Sequence, residues 1–310
     1  MRKKIVFFAC MCAIAISSAS GQWWPFASLS LDTMASPDIV TYDPYSGSDT
    51  TGPQFTFTVR LSSTPWSSVD FCAVIDGSSS PSSRRLTSTS NNLTVDFYQN
   101  SSYSKEIKSS ADYTSSTIIS GSFSAGTTVL TKTYTVYPRL DKGQSTPWGT
   151  YTGNFSVKLY NYSVPYNFFL SDSASFTYTA IVDQTVDVRV GSSGGSFDTG
   201  VSSYNIDLGE LSQGASASFG IFVKGTTGYT LTMNATSGGY LTSSTTNDKI
   251  QYSLTINGRS YTLGSGVVID RQTSKALYSK VLLGTITVPA GQNADAGQYS
   301  DIVSFSVAAN

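Results

Sequence analysis

The chain has 310 residues, of which 13% are charged, with a formal net charge of −1 and no histidine. Near-neutrality leaves no electrostatic footprint for nucleic acid or an acidic membrane surface, and the missing histidine removes the commonest general base and metal ligand. Glu106 and Glu210 stand far apart, no aspartates fall at metal-ligand spacing and no glycine-rich phosphate loop is present, so no catalytic residue, metal site, cofactor or enzyme activity is expected.

In chain order, a basic start at Arg2, Lys3 and Lys4 precedes an apolar run, Ile5–Ile16, and small residues from Ser17 to Gly21. This is the three-part pattern of a secretory signal peptide. The apolar run is shorter than the roughly 20 residues of a spanning helix, so residues 1–21 are expected to be cleaved. Cys10 and Cys12 leave with them. Cys72, inside the apolar run Val69–Ile75, is expected to be a buried thiol acting as a small hydrophobe. Trp23, Trp24 and Phe26 fit either a mobile terminus or core anchors. Ala27–Leu31 alternates and reads as the first strand of the mature protein in preference to a donor extension for another subunit.

Beyond this point almost every apolar segment alternates with polar residues: Phe55–Leu61, Thr133–Tyr137, Ser175–Ile181, Thr185–Val190, Tyr229–Met233 and Leu283–Val288. Period-two alternation rich in β-branched and aromatic residues marks half-buried strands. Asn257-Gly258, between Ile250–Ile256 and Arg259–Leu263, predicts a tight hairpin. Short strands with regular turns indicate β-sandwiches, and the mature length suits two domains. The boundary is expected at Val182-Asp183, with an N-terminal domain over 22–182, a C-terminal domain over 183–310 and a short, stiff junction.

The two halves share an element. Gly149-Thr150-Tyr151-Thr152 leads into Gly153–Leu159, and Gly297-Gln298-Tyr299-Ser300 leads into Asp301–Val307, each after a strand ending in proline, Pro138 or Pro289. Two copies of one fold are expected. After Leu159 the first copy continues through another alternating strand, Ser175–Ile181, whereas after Val307 only Ala308-Ala309-Asn310 follow. The second copy is therefore expected to be an immunoglobulin-like sandwich short of its last strand, with an exposed edge and an apolar groove. Val303, Phe305 and Val307, with Val188 and Val190, are the candidate groove residues. Filling by a strand from another chain, β-augmentation, is the expected remedy.

For binding, the segment Tyr160–Leu170 is expected to be an apolar loop joining the last two strands of the first domain, although Phe168, Phe169 and Leu170 fit the start of a strand equally well. Candidate surface-binding residues are Tyr162, Val164, Pro165, Tyr166, Phe168, Phe169 and Trp148; the segments Asp141–Trp148 and Tyr42–Tyr45 are secondary candidates. Exposed apolar patches on secreted proteins mark interaction sites.

Residues 183–310 resemble the spore coat U-like pilin domain of archaic chaperone–usher pili. The resemblance is carried by Ile206–Leu211, Gly228–Met233, Ile250–Leu254 and, most specifically, Ala296–Val303. Residues 22–182 share only the Gly-x-Tyr element, and the layout is similar to two-domain tip adhesins of these pili, of the Csu pilus tip type. One departure is the absence of any cysteine after Cys72, where many such domains hold a disulfide. The resemblance implies a periplasmic chaperone that lends a strand, an outer-membrane usher, and a next pilus subunit whose extension replaces the chaperone strand. It implies transport through the periplasm to a pilus tip on the cell surface, and attachment to an abiotic surface or host receptor in biofilm formation. A structural pilus subunit without receptor binding and a secreted carbohydrate-binding module are the alternatives.

Overall fold

The computed structural model describes residues 27–163 and 167–310, with the backbone alone for residues 162, 163, 167 and 168. The expected signal peptide, Trp23, Trp24 and Phe26 lie outside the described residues. Every regular element described is a strand, as the alternation predicts, and among the described residues no helix is long and apolar enough to cross a membrane.

The first half contains β1 (Leu29–Met34), β2 (Val40–Thr41), β3 (Thr50–Thr51), β4 (Phe55–Leu61), β5 (Val69–Gly77) and β6 (Arg85–Ser88). It continues with β7 (Asn91–Thr94), β8 (Asp96–Tyr98), β9 (Ile119–Phe123), β10 (Thr131–Leu140), β11 (Gly149–Ser163) and β12 (Asn167–Val182). The second half contains β13 (Val186–Ser192), β14 (Ala215–Gly225), β15 (Tyr229–Ala235), β16 (Tyr240–Ser243), β17 (Lys249–Gln251) and β18 (Ser253–Ile256). It ends with β19 (Arg259–Tyr261), β20 (Val267–Gln272), β21 (Tyr278–Val288), β22 (Tyr299–Ser300) and β23 (Val303–Ala309).

Each half is a two-sheet sandwich. In the first, the order β1-β4-β10-β3 packs against β2-β12-β11-β5-β9. In the second, β13-β14-β21-β18-β19 packs against β20-β15-β23, with β17-β16-β22 as a small third sheet. The inward positions of the alternating strands make the cores. Phe55, Phe57, Val59 and Leu61 of β4 meet Phe155, Val157 and Leu159 of β11 and Phe176 and Tyr178 of β12, all buried. Phe176 lies 4.8 Å from Phe55, 5.7 Å from Phe97 and 5.6 Å from Phe155, ring centre to ring centre, within the range of favourable aromatic pairs. Phe219, Ile221 and Val223 of β14 meet Tyr229, Leu231 and Met233 of β15 in the second.

The shared Gly-x-Tyr element has the same geometry in both copies. The Tyr151 hydroxyl donates to the Pro147 carbonyl at 2.7 Å, and the Tyr299 hydroxyl donates to the Asp295 carbonyl at 2.7 Å. Each bond reaches back four residues, as in the tyrosine corner of immunoglobulin-like sandwiches. Strand neighbours agree as well. Val157 pairs Ile75 of β5 and Phe305 pairs Met233 of β15, while Leu159 pairs Ala73 and Val307 pairs Leu231. The repeat read from the sequence is therefore a repeat of fold.

Asp183–Thr185 join the last strand of one sandwich to the first of the other. The Tyr45 hydroxyl lies between the carbonyls of Gly225 and Tyr278, at 2.7 and 2.8 Å, and accepts the Tyr278 N–H at 3.1 Å. The Trp148 N–H donates to the Thr226 carbonyl at 3.0 Å, and the Lys275 ammonium sits 4.4 Å over the Trp148 ring. Trp148, a sequence candidate for surface binding, is thus placed at the junction between the sandwiches, as is Tyr45. The Tyr45 hydroxyl and the Trp148 backbone N–H satisfy backbone groups at the end of the β14–β21 pair, while the Trp148 ring faces Lys275.

Candidate functional site

Two surfaces stand out, at separate places in the molecule. The first is the end of the first sandwich farthest from the junction. β11 begins at the junction, where Gly149 pairs with Val182, and β11 and β12 stay paired to Ser163 and Asn167. At about 3.3 Å per residue the hairpin runs roughly 45 Å. The expected loop Tyr160–Leu170 is therefore mostly ladder: Tyr160 pairs with Leu170, Asn161 with Phe169 and Tyr162 with Phe168. A register shift between Leu159 and Tyr160 leaves Ser171 as an extra residue in β12. Phe169 and Leu170 are 65% and 55% exposed. The side chains of Tyr162, Val164, Pro165, Tyr166 and Phe168 lie outside the described residues.

Two more loops end at this pole. The β4–β5 loop carries Trp66, 88% exposed, and the β9–β10 loop carries Val129, 65% exposed. The Gly126 N–H donates to the Pro65 carbonyl at 2.8 Å and ties these loops together, and Val69 pairs with Phe123 at their base. The segments 62–68, 124–130 and 160–171 contain no charged residue. Sequence reading missed Trp66 and Val129. A single tryptophan among serines in Pro65-Trp66-Ser67-Ser68 is the only local signal, because exposed single hydrophobics are common.

The second surface is the open edge of β23. Among the described residues β23 pairs only with β15, whereas its counterpart β11 pairs with β5 on one side and β12 on the other. Val303, Phe305 and Val307 are half-buried and pack on the second core, together with Val186 and Val188 of β13. Val190, the remaining groove candidate, forms a two-bond bridge with Val201, at 2.9 and 2.8 Å, and stands apart from that cluster. Ile302 points the other way and is exposed. The two sheets of this sandwich are tied by Asp270 of β20, on the side of β15 away from β23, which accepts the Tyr229 hydroxyl at 2.6 Å, the Gln272 amide at 3.0 Å and the Lys280 ammonium of β21 at 3.2 Å. Burial raises the Asp270 pKa, but these bonds outweigh it and hold the carboxyl below its usual range.

In the first sandwich, Asp76 plays a similar part. It accepts the Ser110 N–H and hydroxyl, both at 2.7 Å, and the Lys158 ammonium at 2.8 Å, fastening the segment before β9 onto the sheet. Burial opposes ionisation there as well, and the three partners again leave the pKa lowered. Cys72 is buried on this sheet, and burial pushes its thiol up to about 11, the inert state expected of it. Among the described residues no group of three or more Cys, Asp or Glu side chains is placed to hold a metal ion.

Strand order, tyrosine corners and paired sheets make this an all-β protein of two immunoglobulin-like sandwiches. Residues 40–158, which lie within the first sandwich, match the sequence family described as the Spore Coat Protein U domain. The sequence resemblance had been placed over residues 183–310, and the match instead covers the half in which only the Gly-x-Tyr element had been noticed. A search of curated proteins found no match. Among solved structures, the chain is similar to the CsuC–CsuE chaperone–tip adhesion subunit pre-assembly complex from archaic chaperone–usher Csu pili of Acinetobacter baumannii. That likeness has 16% identity and a TM-score of 0.43, covering 91% of this chain and 99% of that one. The CupB6 tip adhesin from Pseudomonas aeruginosa is similar at 10% identity and a TM-score of 0.39, covering 91% and 92%. The CooA pilin subunit from enterotoxigenic Escherichia coli is similar at 14% and 0.29, covering 50% and 99%. No residue role is carried over from them.

Proposed function

We propose that the chain is the tip adhesin subunit of a chaperone–usher pilus. The observation that carries this reading is that the second sandwich repeats the first but has no described counterpart of β12, leaving β23 open beside half-buried Val303, Phe305 and Val307. An edge of this kind is a template for a strand of another chain. A periplasmic chaperone fills it first, the outer-membrane usher exports the complex to the cell surface, and the extension of the next pilus subunit then takes the place of the chaperone strand.

The first sandwich has its own β12 and needs no such partner, which leaves its far pole to bind. Exposed Trp66, Val129, Phe169 and Leu170 on uncharged loops suit a nonpolar surface, because burial of apolar area is non-directional and asks for no matching charge. Attachment to abiotic surfaces or host cells, and biofilm growth, follow from that chemistry.

The test is attachment of cells carrying the whole assembly to hydrophobic and to hydrophilic plastic. Trp66→Ser combined with Phe169→Ser is expected to abolish attachment to the hydrophobic plastic while surface display, measured by antibody, is unchanged. Undiminished attachment with normal display would remove the pole from the proposal. Stable purification of the bare mature chain without a chaperone, with no gain from an added strand, would remove the groove.

A further inference from the structure

We infer that the strand filling the second sandwich is selected by size at two positions: it places a bulky apolar side chain against Val303 and a small one against Phe305. The inference rests on the donor-strand reading above and adds the chemistry of the partner's segment.

The first sandwich shows a filled groove of the same architecture. Counting from each corner tyrosine, Phe155 corresponds to Val303, Val157 to Phe305 and Leu159 to Val307, and the pairings with β5 and β15 give the same correspondence. In the filled groove β12 runs antiparallel to β11, with Phe176 opposite Phe155, Ala174 opposite Val157 and Asp172 opposite Leu159. Directly opposed residues of an antiparallel pair share one face and lie close enough to compete for space.

The second sandwich redistributes that volume. Phe305 is much larger than Val157 and already reaches Phe219 across the core, with ring centres 6.0 Å apart. A side chain opposite it therefore has no more room than Ala174 has, and Ala, Gly or Ser fits. Val303 is smaller than Phe155, which is itself stacked on Phe176. The space released there takes a Phe, Leu or Ile from the incoming strand. Interiors are close-packed, so overfilling and underfilling both destabilise, and the two positions act as a paired size filter that also sets register. A slip by two residues would put the bulky side chain against Phe305.

The experiment uses the full mature chain extended through a flexible linker by a copy of its own residues 172–182, in which Ala174 and Phe176 already provide the small–bulky pattern. Thermal unfolding of the extended chain reads strand binding, and the same segment as a free peptide gives its affinity. Ala174→Phe in the added copy is expected to weaken the peptide about tenfold or more. Phe305→Val in the groove is expected to restore it. Phe176→Ala in the copy is expected to weaken binding by a similar factor.

Equal affinity of all the copies would overturn the size rule and leave the donor-strand reading standing. Loss with Ala174→Phe that Phe305→Val does not rescue would overturn the assignment of Phe305 to that position. No binding or stabilisation by any copy would overturn both.

Discussion

The two sandwiches are built alike and finished differently. In the first, Phe155, Val157 and Leu159 of β11 are fully buried because β12 lies along their edge and supplies Phe176, Tyr178, Ala180 and Val182 to the core. In the second, Val303, Phe305 and Val307 occupy the same places on β23 and are only half-buried. The core there is also divided, with Leu241, Ile250, Tyr252 and Val288 forming a separate cluster near the small third sheet. One strand makes the difference between a closed core and an open edge. Edge pairing and groove burial come together, since an incoming strand satisfies the unpaired backbone of β23 and removes apolar area from water in one step.

The largest expected effect comes from supplying that strand. Appending a strand in the image of β12 should stabilise the second sandwich by roughly 5 kcal/mol, the burial of a few apolar side chains. Differential scanning calorimetry should show its transition rise toward that of the first sandwich. An unchanged transition would mean that the two regions are equally complete.

The converse change is Phe176→Ala, which empties the centre of the first core and should cost about 4 kcal/mol. Only the first transition should move. A matching shift in the second would show that the sandwiches unfold as one unit through the junction at Tyr45 and Trp148.

Acid should expose a smaller likeness between the halves. Asp76 and Asp270 both have folded-state pKa values below the ordinary carboxylate value of about 3.9. Their stabilisation is complete above that value and is lost as pH falls through the lowered folded pKa. Asp270→Asn should flatten the acid dependence of the second transition between about pH 4 and lower values, leaving the first to Asp76. Denaturation followed across that range would detect a dependence that fails to flatten.

The smallest effect concerns the corners. Tyr151 is buried and Tyr299 is partly exposed, so Tyr151→Phe should cost about 1 kcal/mol and Tyr299→Phe less, as read from denaturant midpoints. The opposite ranking would mean that the second corner supports more of its domain than its exposure indicates.

Much of the fold was legible because strand signals are local. The inward residues of β4, β11, β14, β15 and β23 follow from alternation alone. The Asn257-Gly258 hairpin forms as predicted between β18 and β19, with positive φ of 49° and 75° at its two residues. The repeated Gly-x-Tyr element proved to be a corner in each copy. The candidate site was legible only in part. Phe169 and the β23 positions are named from the sequence and lie on the two candidate surfaces, whereas Trp66 and Val129 are not named, because nothing in their own segments says that a hydrogen bond from Gly126 to Pro65 brings their loops together. Trp148 has the character of a binding residue, but its ring meets Lys275 and its backbone N–H meets Thr226 of the second sandwich.

The class of fold, the duplication and the faces of the strands are written in the order of residues, since a period of two assigns every side chain to one side or the other. Which loops share a pole, which aromatic residues sit at the junction and which edge stays open emerge only when the strands pair. Those outcomes depend on pairing between segments distant in the chain, and the alternation within a strand carries no record of its neighbours.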